Sequence, residues 1–248
     1  MKLSKIFLAL GYAVVTAFAF VIALSFGAPP AVAAPESAND VVDQVQKYYT
    51  TINQVTATFK QTVHNAQFGT DKTSTGTVWI KKPGKMRWDY VEKKNNADRL
   101  KKAFISNGTT LFDVEPDNQQ VIKKNLQNNV MPVAVTFLYG KGDLKKDFNA
   151  QLDTSSGYGQ KGDFVLKLTP KQPSAQYKTL YLVIDSKDFH AKESIVVDSS
   201  NNVNHFQFFG VDSAKPINDN SFEFDQRSVP NYQMIDADSP SSIKSATP

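Results

Sequence analysis

The stretch Trp79-Ile-Lys-Lys-Pro-Gly-Lys-Met-Arg-Trp-Asp-Tyr90 has the pattern of a β-hairpin with large aromatic side chains on both arms. Pro83-Gly84 supplies the turn, and β-branched and aromatic residues surround it. Because side chains alternate across a strand, Trp88 and Tyr90 share one face of the second arm while Asp89 points to the other. The hairpin therefore has an apolar face and a charged face. An aromatic side chain is most often core, so the neighbouring strands decide whether these residues fill a core or line a cavity.

The same alternation recurs along the chain and predicts a long antiparallel sheet that curls or closes into a barrel. An amphipathic helix is predicted over residues 40–52, before the first strand, with Asn39 as a possible cap. The polar runs 65–72 and 92–98 are interpreted as loops. The predicted strands cover residues 55–63, 75–81, 86–91, 99–106, 109–114, 119–124, 148–152, 164–169, 177–185, 190–198 and 203–211.

One segment breaks the alternation. Residues 130–139, Val-Met-Pro-Val-Ala-Val-Thr-Phe-Leu-Tyr, are more apolar than a half-exposed strand or helix requires. Pro132 suits the first turn of a helix and not a central strand. The segment is therefore predicted to be a short helix inserted into the sheet. It could be an ordinary buried helix or a movable cover over an apolar space.

The N-terminus has the pattern of a secretory signal. A short basic region at residues 1–5 precedes an apolar run at 6–26, and Ala31-Val32-Ala33 forms a small-residue cleavage site. The run exceeds the usual length of about 7–15 residues, so an uncleaved anchor is the alternative. The helix-breaking residues 27–30 and the lack of a basic stop-transfer cluster favour cleavage after Ala33. The expected organisation is a cleaved signal at 1–33, one domain at 34–235, and a disordered tail at 236–248.

Charge and cysteine content exclude several functions. Without residues 1–33 the chain has 26 basic and 24 acidic side chains, a net charge of +2, which is too balanced for electrostatic nucleic-acid binding. The absence of cysteine excludes disulfides, thiolate metal sites and cysteine nucleophiles. It also excludes lipid attachment at a cysteine behind the signal.

No catalytic or cofactor motif stands out. His64, His190 and His205 are far apart in sequence and none has a metal-ligand spacing, and no Gly-x-Ser-x-Gly elbow or phosphate loop is present. The sequence therefore predicts neither an enzyme nor a metal or cofactor. A cavity for acyl chains fits better, because each buried CH2 contributes about 0.8 kcal/mol and one lipid tail on the order of 10 kcal/mol.

Three segments, taken in order, resemble one known family. They are Val-Thr-Ala-Thr-Phe-Lys-Gln at 55–61, the hairpin with its preceding strand at 76–90, and Ile-Ser-Asn-Gly-Thr-Thr-Leu-Phe-Asp at 105–113. The chain resembles the LolA family from about residue 40 to 225, a family of periplasmic carriers of lipoproteins between the two membranes of Gram-negative bacteria. The resemblance implies a mainly β fold with short helices. It implies an incomplete, half-open antiparallel β-barrel of about eleven strands, with an α-helical lid over an apolar cavity.

The resemblance also implies roles for particular residues. Lys82 occupies the place of a basic residue that fastens the lid, where better-known members carry Arg; lysine lacks the planar fork that gives Arg bidentate hydrogen bonds. Met86 occupies the place of an apolar residue that contacts a partner. The residues expected to line the cavity or form the lid are Phe59, Trp79, Trp88, Tyr90, Val130, Met131, Val133, Val135, Phe137 and Leu138.

The function expected from this resemblance is that of a soluble periplasmic chaperone, and not an enzyme, that carries lipoprotein acyl chains in a hydrophobic cavity. An inner-membrane ATP-driven complex would release the lipoprotein to it, and an outer-membrane acceptor would receive it. The chain is expected to act as a monomer. Two alternatives stay open at this point: a sensor or interaction module on the same half-barrel, and an exported lipid hydrolase whose nucleophile and base converge only in the fold.

Overall fold

One helix and a long strand meander dominate the part of the chain that the computed structural model describes, residues 37–126 and 143–239. No helix in these two ranges has the length and apolar content needed to span a membrane. The helices are α1 (Ala38–Thr51) and α2 (Leu144–Asp147). The strands are β1 (Gln54–Asn65), β2 (Thr70–Lys81), β3 (Lys85–Lys94), β4 (Ala97–Asn107), β5 (Thr110–Glu115), β6 (Gln120–Asn125), β7 (Phe148–Leu152), β8 (Phe164–Pro170), β9 (Thr179–Ile184), β10 (Ala191–Val197), β11 (Val203–Asp212) and β12 (Gln233–Asp236).

These strands form one 12-stranded sheet in the order β12-β6-β5-β4-β3-β2-β1-β11-β10-β9-β8-β7. A first meander, β1 to β6, and a second, β7 to β11, meet where β1 pairs antiparallel with β11. β12 adds a parallel partner to β6 at one edge. Because β12 and β7 are two separate edges, the sheet is open. This confirms the predicted mainly β, half-open architecture, with twelve strands in the described ranges where eleven were predicted.

The prediction of a loop at residues 92–98 is wrong. β3 continues to Lys94 and β4 begins at Ala97, because Asn95 and Asn96 adopt φ angles of 53° and 61° and close a tight hairpin. Charged side chains pair across the strands here, including Lys93 with Asp98 at 2.8 Å. The polar composition therefore reflects strands that are solvated at the sheet end.

Strand β12 was not among the predicted strands. The last predicted strand ends at residue 211, yet Gln233–Asp236 pairs with β6 and the Ala237 amide donates to the Lys123 carbonyl at 2.9 Å. The predicted tail therefore cannot start at residue 236, because the chain belongs to the sheet there. Residues 240–248 of that tail, the predicted signal at 1–33, and the apolar insert at 130–139 lie outside the described residues.

Helix α1 begins two residues before the predicted start. Ser37, and not Asn39, is the N-cap: its hydroxyl accepts from the Asp40 amide at 3.2 Å, and the Asp40 carboxylate accepts from the Ser37 amide at 3.0 Å. This reciprocal capping box satisfies two amides that a helix start leaves unpaired. The buried stripe of the helix consists of Val41, Val42, Val45 and Tyr49.

The sheet has two faces, each with its own apolar cluster. We call the face that packs against α1 the inner face; its cluster includes Leu168 and Leu182 beneath the helix and Trp88 further along the sheet. On the outer face, Ile105 and Val121 pack against residues of the C-terminal segment such as Phe224. A third cluster on the outer face joins Val165, Val183 and Ile195 with Tyr158.

Candidate binding face

A row of directly paired residues crosses the inner face. Phe208 of β11 lies opposite Phe59 of β1, Phe59 opposite Gly76 of β2, Gly76 opposite Tyr90 of β3, and Tyr90 opposite Lys102 of β4. Residues directly opposite in a ladder project to the same face. The row therefore runs from aromatic side chains to a charged one, from β11 through β1, β2 and β3 to β4.

Gly76 lets the aromatic rings of this row meet. A Cβ atom at this position would lie 2.6 Å from Phe59 Cζ and 2.0 Å from the Asp89 carbonyl oxygen. Without that atom, the Phe59 ring lies over β2 and reaches Tyr90, with the ring centroids 4.9 Å apart. Only a glycine permits this close approach.

The rings form a continuous group that we call the aromatic patch: Phe59, Trp88, Tyr90, Phe104, Phe206 and Phe208. The Phe59 centroid is 5.2 Å from that of Trp88 and 5.9 Å from that of Phe206. Phe59 and Trp88 are only 2% and 4% exposed. Burial raises the pKa of the Tyr90 hydroxyl far above its ordinary value, with the nearby Asp113 charge as a lesser cause. The patch is thus a packed apolar group within the core of the inner face.

Three of the residues predicted to line a cavity, Phe59, Trp88 and Tyr90, meet in the aromatic patch. Trp79 does not join them. It lies opposite Arg87 in the β2–β3 ladder, so it projects from the outer face, where it is half-buried. The other predicted residues, Val130, Met131, Val133, Val135, Phe137 and Leu138, lie outside the described residues.

Met86 is inside the core. It lies opposite Ile80 in the ladder and is 2% exposed, as is Ile80. The expectation that Met86 contacts a partner does not fit this burial, because an enclosed side chain offers no surface to another protein. The alternation of β3 places it on the same face as Trp88, and that face is the inner one.

Lys82 connects the β2–β3 turn to the end of α1. Its ammonium group donates to the carbonyl oxygen of Tyr49 and, at 3.4 Å, to that of Thr50. These carbonyls belong to the last turn of α1, whose carbonyl oxygens have no partner within the helix and carry partial negative charge. Burial lowers the pKa of Lys82.

The helix is held at other points as well. Lys145 Nζ lies 2.6 Å from an Asp43 carboxylate oxygen, and the Leu144 amide donates to the Gln46 side chain at 2.9 Å. The Tyr49 hydroxyl, buried at the centre, accepts from the Ala191 amide at 3.1 Å. Helix α1 therefore depends on contacts with the β2–β3 turn, with α2 and with β10.

The aromatic patch ends in a charged group that the sequence analysis missed. Lys102 Nζ lies 3.2 Å from Asp113 Oδ1, 3.0 Å from a Glu115 carboxylate oxygen and 4.8 Å from the centroid of the Phe104 ring. Burial raises the pKa of Asp113, and the Lys102 charge opposes this effect. Side chains alternate along Leu111-Phe-Asp-Val-Glu115, so the carboxylates of Asp113 and Glu115 share a face with Leu111. This alternation is the sequence signal that could have indicated the group.

Each histidine contacts a carboxylate. His64, His190 and His205 lie 2.6, 2.5 and 2.7 Å from carboxylate oxygens of Asp71, Asp188 and Glu193.

One such pair belongs to a group that could hold a cation. The ligand atoms of Asp185, Asp188 and His190 lie within 4.8 Å of one another, although the sequence spacing did not suggest a metal site. Asp188 is exposed, and exposed acidic groups of this kind are common without an ion. We assign no metal to it.

Comparison with known proteins identifies the family. Residues 50–225 match the sequence model of the family described as outer membrane lipoprotein carrier protein LolA. The chain belongs to the LolA family. This confirms the resemblance drawn from the hairpin and the strands on either side of it. The family is one of carriers and not of enzymes.

Relatives of this LolA-family chain include two named outer-membrane lipoprotein carrier proteins. That of Cupriavidus necator is 27% identical over 185 residues, which cover 73% of this chain and 82% of the relative. That of Neisseria meningitidis serogroup C is 25% identical over 183 residues, covering 74% and 82%. A solved LolA superfamily protein from Nitrosomonas europaea is 12% identical, with a TM-score of 0.40 over 77% of this chain and 99% of that one.

Proposed function

We propose that this protein is a periplasmic carrier that binds the acyl chains of lipoproteins and transports them to the outer membrane. The observation that carries the proposal is the LolA family match over residues 50–225. Relatives that this chain covers to 82% of their length are named outer-membrane lipoprotein carrier proteins. The lipoprotein would come from an inner-membrane ATP-driven releasing complex and pass to an outer-membrane acceptor.

The aromatic patch is the part of the inner face that we assign to the acyl chains, and it must open to admit them because Phe59 and Trp88 are buried. It combines six aromatic side chains on the inner face, and a lipid tail against it gains about 0.8 kcal/mol for each buried CH2. Part of this gain is lost as ordering and opening costs. A carrier must also release its cargo. An element that opens and closes is therefore needed to overcome the binding free energy that is left.

We propose that Lys82 fastens helix α1. Opening would break its hydrogen bonds to the carbonyls of Tyr49 and Thr50, which are few enough to break and re-form. Val130, Met131, Val133, Val135, Phe137 and Leu138 keep their proposed place in a lid. Lys82 donates to the carbonyl oxygens of Tyr49 and Thr50, and the sequence alone could not identify these acceptors.

The organisation that accompanies this function is a cleaved signal at residues 1–33 followed by one carrier domain that acts as a monomer. The domain extends at least to Asp238, whose carboxylate accepts from the Asn125 amide at the end of β6 at 2.5 Å. Sequencing the N-terminus of the exported protein tests cleavage: a start at Ala34 supports it, and a start at Met1 contradicts it.

Lipid capture tests the function directly. The protein is expressed with its own signal, purified from the periplasm, and analysed by mass spectrometry for co-purifying lipoproteins and other acyl-bearing molecules. A carrier is expected to retain lipoproteins, and to retain fewer of them when Trp88 is replaced by alanine but not when the outward-facing Trp79 is. A chain that takes up neither lipoprotein nor any other acyl-bearing lipid contradicts the proposal.

A further inference from the structure

The charged group beside the aromatic patch lies where a polar head would lie if acyl chains covered the patch. Asp113 is directly opposite Phe104, which is directly opposite Trp88. Lys102 is directly opposite Tyr90 in the adjacent row. The first row becomes charged at β5 and the second at β4, on the same face of the sheet. A molecule along either row would meet apolar surface first and charge at its end.

The two carboxylates of this group differ in how well they are satisfied. Glu115 accepts from Lys102 at 3.0 Å, from Asn118 at 2.8 Å and from Gln120 at 2.6 Å. These hydrogen bonds hold the pKa of Glu115 at about 2. Its oxygens are thus fully engaged by this chain, and it has little capacity for a ligand.

Asp113 is the carboxylate whose oxygens are less well satisfied by this chain. It is 5% exposed, and the Lys102 ammonium group, 3.2 Å from its Oδ1 atom, pairs with it as a charge without a well-aligned hydrogen bond. A buried carboxylate oxygen without a hydrogen bond costs about 1–3 kcal/mol or more, so such atoms normally have a partner. A donor from a bound molecule would supply it.

We propose that Asp113 binds the hydrogen-bond-donating polar head of an amphiphile, an ammonium or amide N–H group, whose acyl chain lies along the aromatic patch. This inference rests on the proposed carrier function and adds a polar end to the acyl site. An acidic acceptor favours donor heads and disfavours carboxylate heads, because a second carboxylate would repel Asp113. Lys102, which also lies 3.0 Å from Glu115, is the cation with which a bound head group would compete for the Asp113 carboxylate.

Head-group selectivity tests the proposal. Dodecylamine, dodecanol and dodecanoate share one chain length and differ only in the head, and calorimetric titration of the full-length protein below their micelle-forming concentrations compares them. We expect dodecylamine to bind about tenfold more tightly than dodecanoate, as one charge-assisted hydrogen bond would give. Asp113→Asn should remove most of this preference. Asp98→Asn, which changes an exposed carboxylate at the distal end of β4, should retain it.

A second variant keeps the proposal testable if Asp113→Asn does not fold, which thermal unfolding would show. Lys102→Met removes the cation beside Asp113, so the preference for the ammonium head should increase. Equal binding of the three probes, or a preference that survives Asp113→Asn, overturns the head-group site and leaves the carrier function standing. Failure of all three probes to bind overturns both proposals.

Discussion

The Lys82 ammonium group donates hydrogen bonds to the carbonyl oxygens of Tyr49 and Thr50, so the β2–β3 turn holds the last turn of α1. The same lysine follows β2 directly, and its amide donates to the Asn53 carbonyl at 2.8 Å between α1 and β1. One residue thus joins the hairpin, the helix end and the start of the sheet.

Replacing Lys82 with leucine should impair lipoprotein loading or release while the fold survives. Loss of the charged hydrogen bonds at a helix end should lower the free energy of unfolding by about 1–2 kcal/mol, which urea denaturation can measure. A lipoprotein transfer assay measures function. Lys72→Leu, an exposed change on β2, serves as the control. Normal transfer by Lys82→Leu would remove the role assigned to this residue.

The two tryptophans of one hairpin should respond differently to truncation. Trp88→Ala should lower the free energy of unfolding by about 3–5 kcal/mol and weaken acyl binding, because its ring is buried in the aromatic patch. Trp79→Ala, on the outer face, should cost less than half as much and leave binding intact. Chemical denaturation and dodecylamine titration measure the two effects. Equal losses from both variants would contradict the assignment of faces.

The eleven strands could be predicted because alternation and turn residues are local signals. The face on which Trp79 lies could not be predicted, because it depends on the register of the hairpin. The ladder pairs Lys81 with Lys85 across a three-residue turn, and a turn one residue longer or shorter would exchange the two faces. β12 escaped prediction because its short sequence acquires strand geometry from β6, more than a hundred residues away. The charged group at Lys102 and Asp113 depends on the register of the β4–β5 hairpin, so alternation within one strand suggests it only in part.

Gly76→Ala should destabilise the protein. The new Cβ atom would lie 2.0 Å from the Asp89 carbonyl oxygen and 2.6 Å from Phe59 Cζ, so both β3 and the Phe59 ring must move. Overpacking of this kind costs about 1–3 kcal/mol, which thermal or urea unfolding can detect. Thr75→Ala, on the adjacent exposed position of β2, should change stability by about 0.5 kcal/mol or less. An unaltered unfolding curve for Gly76→Ala would show that the close approach of Phe59 is dispensable.

Neighbouring carboxylates should give opposite pH dependences of stability. The pKa of Glu115 is lowered to about 2, so its contribution to stability is present above the ordinary value of 4.5 and is lost as pH falls towards 2. Glu115→Gln should therefore be less stable than the parent at pH 7, with a difference that shrinks in acid.

Burial raises the pKa of Asp113, so its charged form opposes folding at neutral pH. Asp113→Asn should be more stable than the parent at pH 7, and the gain should disappear as pH falls through the raised pKa. Urea unfolding at a series of pH values measures both variants. Parallel pH profiles for the two would contradict these assignments.

The pairing of Phe59 in β1 with Phe208 in β11 determines the order in which the sheet can assemble. A chain that emerges N-terminus first can join β1 to β6 strand by strand, but the central seam must wait until nearly the whole chain is free. Closing so long a loop is slow, and folding dominated by such contacts takes milliseconds to seconds. During that interval the four rings from β1, β3 and β4 lack Phe206 and Phe208 of β11, and the nascent chain exposes the aromatic patch that we propose binds lipid.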